Sequence, residues 1–226
     1  MRLPVFVFAA AFAMHAQAFS LADVSNKDAS GGLKEALTQG AGKAVAELGK
    51  QDGFLGNPKV KIPLPENLQK IEGALRKFGM GAQADELVTA MNRAAEAAVP
   101  EAKTLLVNSV KKMSVQDAKG ILAGGDDAAT QYFKRTTSVP LAEKFKPIVQ
   151  KAIAKVKLAE KYDQFAGKGI KLGLVKEEDA HLDNYVTQKA LDGLYLMIAE
   201  EEKSIRKDPV GAAGSLAKKV FGALLK

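Results

Sequence analysis

The sequence predicts an all-α fold, a single-domain bundle of about six to eight helices with an extended proline-containing strap between the early helices. Apolar residues recur at three- and four-residue steps along nearly the whole chain, which is the period of a helix face. No stretch alternates with period two over a useful length, and no repeat of solenoid period occurs. Glycine and proline fall where the periodic segments begin and end.

The first residues, MRLPVFVFAAAFAMHAQAFS, stand apart from this pattern. Arg2 precedes an apolar run from Leu3 to Met14, and Ala16-Gln17-Ala18 offers the small-x-small pattern of a cleavage site. The run is well short of the roughly 20 residues that cross a bilayer as a helix. Residues 1–18 therefore read as a signal peptide, and 19–226 as one helical domain exported to the periplasm. The chain has no cysteine. That excludes a lipid-modified N-terminal cysteine, a disulfide framework and thiolate metal ligands, so the core is held by burial.

Leu33, Leu37, Val45 and Leu48 mark a first helix that Gly49 can end. The next stretch, Asp52 to Leu68, reads DGFLGNPKVKIPLPENL. Its three prolines and two glycines oppose a helix, yet Phe54, Leu55, Val60, Ile62 and Leu64 are large and apolar. In VKIPLP the apolar residues alternate with Lys61, Pro63 and Pro65, so an extended chain turns one apolar edge to one side. Pro63 and Pro65 lack backbone donors, which points to packing across helices rather than into a strand ladder. A strap fixed to the bundle is the preferred reading; a ligand-gating lid is the other.

Leu68, Ile71, Leu75 and Phe78 predict a helix that Pro65 opens and Gly79 stops. Leu87, Met91, Ala95 and Ala98 continue to Leu105, Val110 and Met113, with Pro100 expected to kink or divide the segment. Ser114 and Asp117 form a capping pair for a short helix closing at Gly124-Gly125. Asp126 is expected to cap the next helix, which holds Tyr132 and Phe133. Leu141, Phe145, Ile148, Ile153, Val156 and Ala159 then trace a long apolar stripe interrupted at Pro147. A linker, GKGIKLGLVKEED, precedes the longest helix, from about Ala180 to Lys207, which Asp208-Pro209 stops. Frequent alanine and glycine on the helices imply close helix approach.

No conventional catalytic signature occurs: there is no G-x-S-x-G, P-loop, H-E-x-x-H or dinucleotide-binding glycine pattern. His181 is the sole histidine after residue 18. Glu178-x-x-His181 has the spacing of a di-iron half-motif but lacks a second copy, so it reads as a surface histidine at a helix start. No metal, cofactor or catalytic residue is assigned.

Charged groups embedded among apolar residues carry more information. Arg93 and Glu96 are three apart among alanines, as are Tyr132 and Arg135 in DDAATQYFKRTT. Tyr185, Lys189 and Asp192 fall on one side of the last long helix. A partly buried charge needs a partner. These residues therefore form either an internal salt-bridge network that fixes helix register or a polar pocket for an anionic or mixed-charge ligand. With Phe54 and Ile62 from the strap, they are the candidate ligand-binding residues.

The formal net charge is +7. Residues 134–176 hold 11 basic and 3 acidic side chains, whereas 177–208 hold 4 and 9. Two complementary helices lying together would explain most of this asymmetry. Nucleic-acid binding is not expected, because no aromatics interleave with the lysines. The C-terminal GSLAKKVFGALLK is a small cationic amphipathic helix. It either docks on its own domain or touches an anionic membrane through Lys218, Lys219, Val220 and Phe221.

Taken in order, DGFLGNPKVKIPLP, MNRAAEAAVPEA, DDAATQYFKRTT, LDNYVTQKALDGLYLMIAEEEKSIRKDP and KKVFG resemble the bacterial family catalogued as domain of unknown function forty-one ninety-seven. The resemblance spans nearly all of the chain after the leader. It implies an exported, mainly helical protein of Gram-negative type, with no attributed activity and no catalytic residues to carry across. The leading expectation is a non-enzymatic envelope protein that binds a small molecule, lipid or envelope protein. A peripheral membrane protein using the basic region and the C-terminal helix is the alternative. A hydrolase of unusual type, built on Asp, Tyr and Lys, ranks last.

Overall fold

The computed structural model describes residues 26–162 and 181–208. The expected signal peptide, the linker before the last long helix, and the C-terminal helix with Lys218, Lys219, Val220 and Phe221 lie outside the described residues. Among the described residues there are seven complete α-helices and no strand. They are α1 (Asn26–Leu48), α2 (Glu66–Lys77), α3 (Gly81–Ala98), α4 (Ala102–Lys112), α5 (Val115–Ala123), α6 (Ala128–Ile153) and α7 (Leu182–Lys207). A further helical run covers 157–162.

The two longest interior elements, α6 and α7, lie antiparallel over their full length. Ala129 and Thr130 meet Glu202 at one end, Thr137 meets Tyr195 in the middle, and Gln150 meets Asp183 at the other end. Helix α1 crosses the other side of α7, with Lys43 bonded to Glu201 and Gly40 facing Ile205. Helix α3 covers both α6 and α7. Phe54, Phe133, Phe145, Leu87, Met91, Leu141 and Leu194 are fully enclosed in the core between them. Each such side chain contributes about 1.5–3 kcal/mol by leaving water.

Most boundaries follow from local chemistry. Ser114 and Asp117 make the expected reciprocal capping box at α5, which ends at Gly124. Pro100 divides the third periodic segment: a 3-10 turn over Val99–Glu101 separates α3 from α4. Gly79, at φ +76°, closes α2 in the left-handed region that glycine enters without cost.

Two expectations are corrected. The stripe from Tyr132 to Ile153 is one continuous helix despite Pro140 and Pro147. Both prolines stand away from the buried row of Leu141, Phe145 and Val149, so the carbonyls they leave unbonded can reach water. Asp126 does not cap α6. Asp127 holds the cap position without a side-chain bond to the first-turn amides, and the α7 residue Glu202 serves them from outside. Its Oε1 and Oε2 accept from the Ala129 and Thr130 amides at 2.9 Å each, while Arg206 bonds the same carboxylate.

Two further features concern surfaces. On α2 Leu68 is buried, whereas Ile71 and Phe78 are exposed; among the described helices α2 packs chiefly on α3. The basic helix α6 does lie against α7 with its acidic residues, as expected, although among the described residues most α7 carboxylates bond partners outside the basic stretch. Glu200 binds Lys59 and Glu201 binds Lys43, and Lys146–Asp183 at 3.7 Å links α6 to the acidic segment.

Glycine on α7 has a specific cause. A methyl group at Gly193 would stand 2.7 Å from Cε1 of Phe54, so the strap's phenyl ring occupies the place of a side chain. Gly42 on α1 has nothing within 4 Å of the corresponding position. Gly193→Ala is therefore expected to destabilise by about 1–3 kcal/mol through overpacking. Gly42→Ala should stabilise by up to about 1 kcal/mol, the helix-propensity gain. Urea unfolding of the two variants checks the opposite signs.

Candidate functional site

The region from Gly49 to Pro65 is the long non-helical connection between described helices, and it is core. Phe54, Val60, Ile62 and Leu64 are buried, while Lys61 and Pro63 between them are exposed, so the alternation in VKIPLP is realised in space. Burying an extended chain leaves its amides without a ladder partner, and each unpaired buried amide is costly. Two side chains one turn apart on α3 resolve this. Asn92 accepts from the Ile62 amide at 2.8 Å and donates to the Ile62 carbonyl at 2.9 Å. Glu96 Oε1 accepts from the amides of both Phe54 and Leu55, at 3.0 and 3.1 Å.

The side chain of Glu96 is 6 % exposed, and Arg93 balances its charge through a 2.6 Å bond to Oε2. Arg93 also reaches Asp52 at 2.8 Å, and these two contacts raise its pKa. Asp52 lies at φ +64°, a conformation that aspartate tolerates better than most residues. Gly53 follows because a side chain there would strike the carbonyl oxygen of Leu48.

The other candidate residues form separate structural contacts. The Tyr132 hydroxyl donates to the Ser109 carbonyl at 2.8 Å, and Arg135 lies over the Tyr132 ring while bonding Asp117. Together they tie α6 to α4 and α5. The Tyr185 hydroxyl donates to the Pro63 carbonyl at 3.1 Å, a further strap contact, and Lys189 covers its ring. Asp192 accepts from Gln188 on the surface of α7. The structure thus brings Phe54, Ile62, Arg93 and Glu96 into one seam, with Tyr185 at its far end. Tyr132 and Arg135 stand apart from it, and Asp192 faces solvent.

Among the described residues, Thr187 Oγ1 is the single buried side-chain polar atom without a partner. The polar groups embedded in the helices are largely occupied in holding the fold. Open chemistry lies instead on the outer side of the strap, where a cleft of about 590 Å³ runs between the strap, α2 and α3. Leu55, Pro63, Leu64 and Val88 give it an apolar side. Gln69, Glu72, Arg76, Asp85 and Thr89 give it a polar one, with Lys61 at the strap.

Arg76 bridges the cleft by bonding Glu72 and Asp85 at 2.7 Å each. The bond from Arg76 holds the Asp85 carboxyl below its ordinary value. This bridge is complete at neutral pH and is lost as pH falls through the lowered Asp85 value. Lys61 has no carboxylate partner among the described residues. The α2 and α3 residues of this cleft were missed by sequence reasoning, although Glu72 and Arg76 at i, i+4 on one helix were a readable pair.

His181 is exposed at the start of α7. Among the described residues no cluster of three or more His, Cys, Asp or Glu stands at metal-binding distance. No described helix is long and apolar enough to cross a membrane. The family model described as Protein of unknown function (DUF4197) matches residues 23–222, and the chain belongs to that family. No curated protein and no solved structure matches the chain.

Glu96→Ala removes the acceptor from two strap amides, each worth about 1–3 kcal/mol when left unpaired, so a loss of about 3 kcal/mol is expected. Glu96→Gln keeps an acceptor and should lose less. Asn92→Asp should be at least as harmful as Asn92→Ala, because a carboxylate cannot donate to the Ile62 and Val88 carbonyls. Urea denaturation of the four variants tests both orders. Equal stability of Glu96→Ala and the wild type contradicts the pinning of the strap.

Proposed function

We propose that the protein is an exported, non-enzymatic binding protein of the cell envelope, taking a small amphiphile with a negatively charged end in the cleft between the strap, α2 and α3. The cleft carries this reading. Its volume lies within the range of small-molecule sites, and it sets an apolar strip opposite a polar one. Lys61 supplies a cation that no described carboxylate neutralises. The strap wall is preorganised by Asn92 and Glu96, which lowers the ordering cost of binding. Export rests on Arg2, the apolar run from Leu3 to Met14, and Ala16-Gln17-Ala18.

In this reading the strap is a fixed wall rather than a moving gate, because four of its apolar side chains are already in the core. Ligand then contacts its outward residues Lys61 and Pro63, with Leu55 beside them. A thermal-shift screen of envelope lipids, peptides and anionic metabolites provides the test. A true ligand at one hundred times its dissociation constant stabilises by about 2.7 kcal/mol, or roughly 5–10 °C in Tm for a domain of this size. Thr89→Trp, which fills the cleft from an exposed position, should abolish that shift without lowering the ligand-free Tm. A ligand whose shift survives Thr89→Trp, or a screen that yields none, overturns the cleft as the binding site.

A further inference from the structure

Helix α2 concentrates its apolar residues on one side more strongly than any other described helix, and although Leu68 on that side is buried, Ile71 and the following Phe78 are not. Ile71, Ala74 and Phe78 recur at three- and four-residue steps and share one face. All three are exposed, Phe78 by 82 %. Lys70 and Lys77, seven apart, run along the edge of the same stripe. Neither forms an ion pair among the described residues. The inward side of α2 is separately accounted for by Leu68, Glu72 and Arg76. Exposed Val115, Val139 and Leu196 lie on three other helices, where single apolar residues are ordinary.

We propose that α2 is a membrane-contact helix, which lays Ile71 and Phe78 into the headgroup boundary of an anionic lipid surface while Lys70 and Lys77 meet the lipid phosphates. An apolar stripe edged by unpaired lysines, on a helix that is polar overall, is the pattern of an interfacial helix. The charge complementarity selects anionic lipid over a neutral partner, and the net charge of +7 acts in the same sense. Both ends of α2 are anchored, by buried Pro65 and Leu68 at one end and by Met80 packed on the core at the other. The stripe is therefore presented by a fixed element and needs no rearrangement. The contact uses the opposite side of α2 from the cleft and does not require a cleft ligand.

The chain has no tryptophan, so Phe78→Trp places one reporter on the stripe and Val139→Trp places one on α6. On adding the full chain to phosphatidylglycerol–phosphatidylethanolamine vesicles, emission from the Phe78→Trp protein should shift to the blue and be quenched by brominated lipid. The Val139→Trp protein should change in neither respect. Ile71→Ser with Phe78→Ser should weaken vesicle co-sedimentation by about tenfold or more. Lys70→Glu with Lys77→Glu should weaken it at low salt and flatten its salt dependence. These exposed substitutions should leave Tm unchanged. The proposal is overturned by absent wild-type binding, or by binding that the double serine variant retains, which would place the contact elsewhere in the chain. It is equally overturned by blue-shifted emission without lipid. If that shift depends on protein concentration, a second copy covers the stripe; if it does not, the chain covers itself.

Discussion

The fold depends on one constraint: an extended, proline-bearing segment sits in the core and must have its backbone polar groups satisfied there. Helices satisfy their own amides; the strap cannot. Glu96 takes the Phe54 and Leu55 amides, and Asn92 takes both polar groups of Ile62. Once these are fixed, Phe54 reaches the bare backbone of α7 at Gly193 and Pro63 receives Tyr185. The strap's exit then sets where α2 begins, and so sets the width of the cleft between α2 and α3. Core packing, the cleft and the exposed stripe of α2 all follow from that placement.

The same solution appears at the start of α6. Glu202 there is 5 % exposed, accepts from two amides of another element, and is balanced by an arginine one turn away. In both places a carboxylate leaves water only because backbone donors and a guanidinium replace its hydration. The geometry also makes each one a register pin, since a shifted helix would strand the carboxylate and its amides together. That explains charge within alanine-rich helices without invoking a ligand. It moves the search for binding chemistry outward, to Lys61, Arg76 and Asp85 on the cleft.

Much of this was legible in the residues. Helical periodicity, the capping box at Ser114 and the division at Pro100 are local signals and translate directly into structure. Alternation in VKIPLP correctly marked a buried edge, because side-chain direction along an extended chain is a local property. Arg93 and Glu96 were recognisable as a pair needing each other, but their partners in the strap lie about forty positions away, and spacing on one helix is silent about that. Glu202 was hidden for the same reason: a cap supplied by another element leaves no mark near the helix it caps. Periodicity found α2 but is silent on burial: Leu68 is buried, whereas Ile71 and Phe78 of the same stripe are exposed. Pro147 misled because a proline's effect depends on whether the carbonyl it frees can reach water.

Native-state hydrogen exchange at the amides of Phe54, Leu55 and Ile62 tests the pinned strap most directly. If Glu96 and Asn92 hold the strap as part of the core, these three amides exchange only through global unfolding, with the same opening free energy as the amides of α3 and α7. Exchange through a local opening several kcal/mol easier than global unfolding would show instead a strap that lifts from the bundle as a lid.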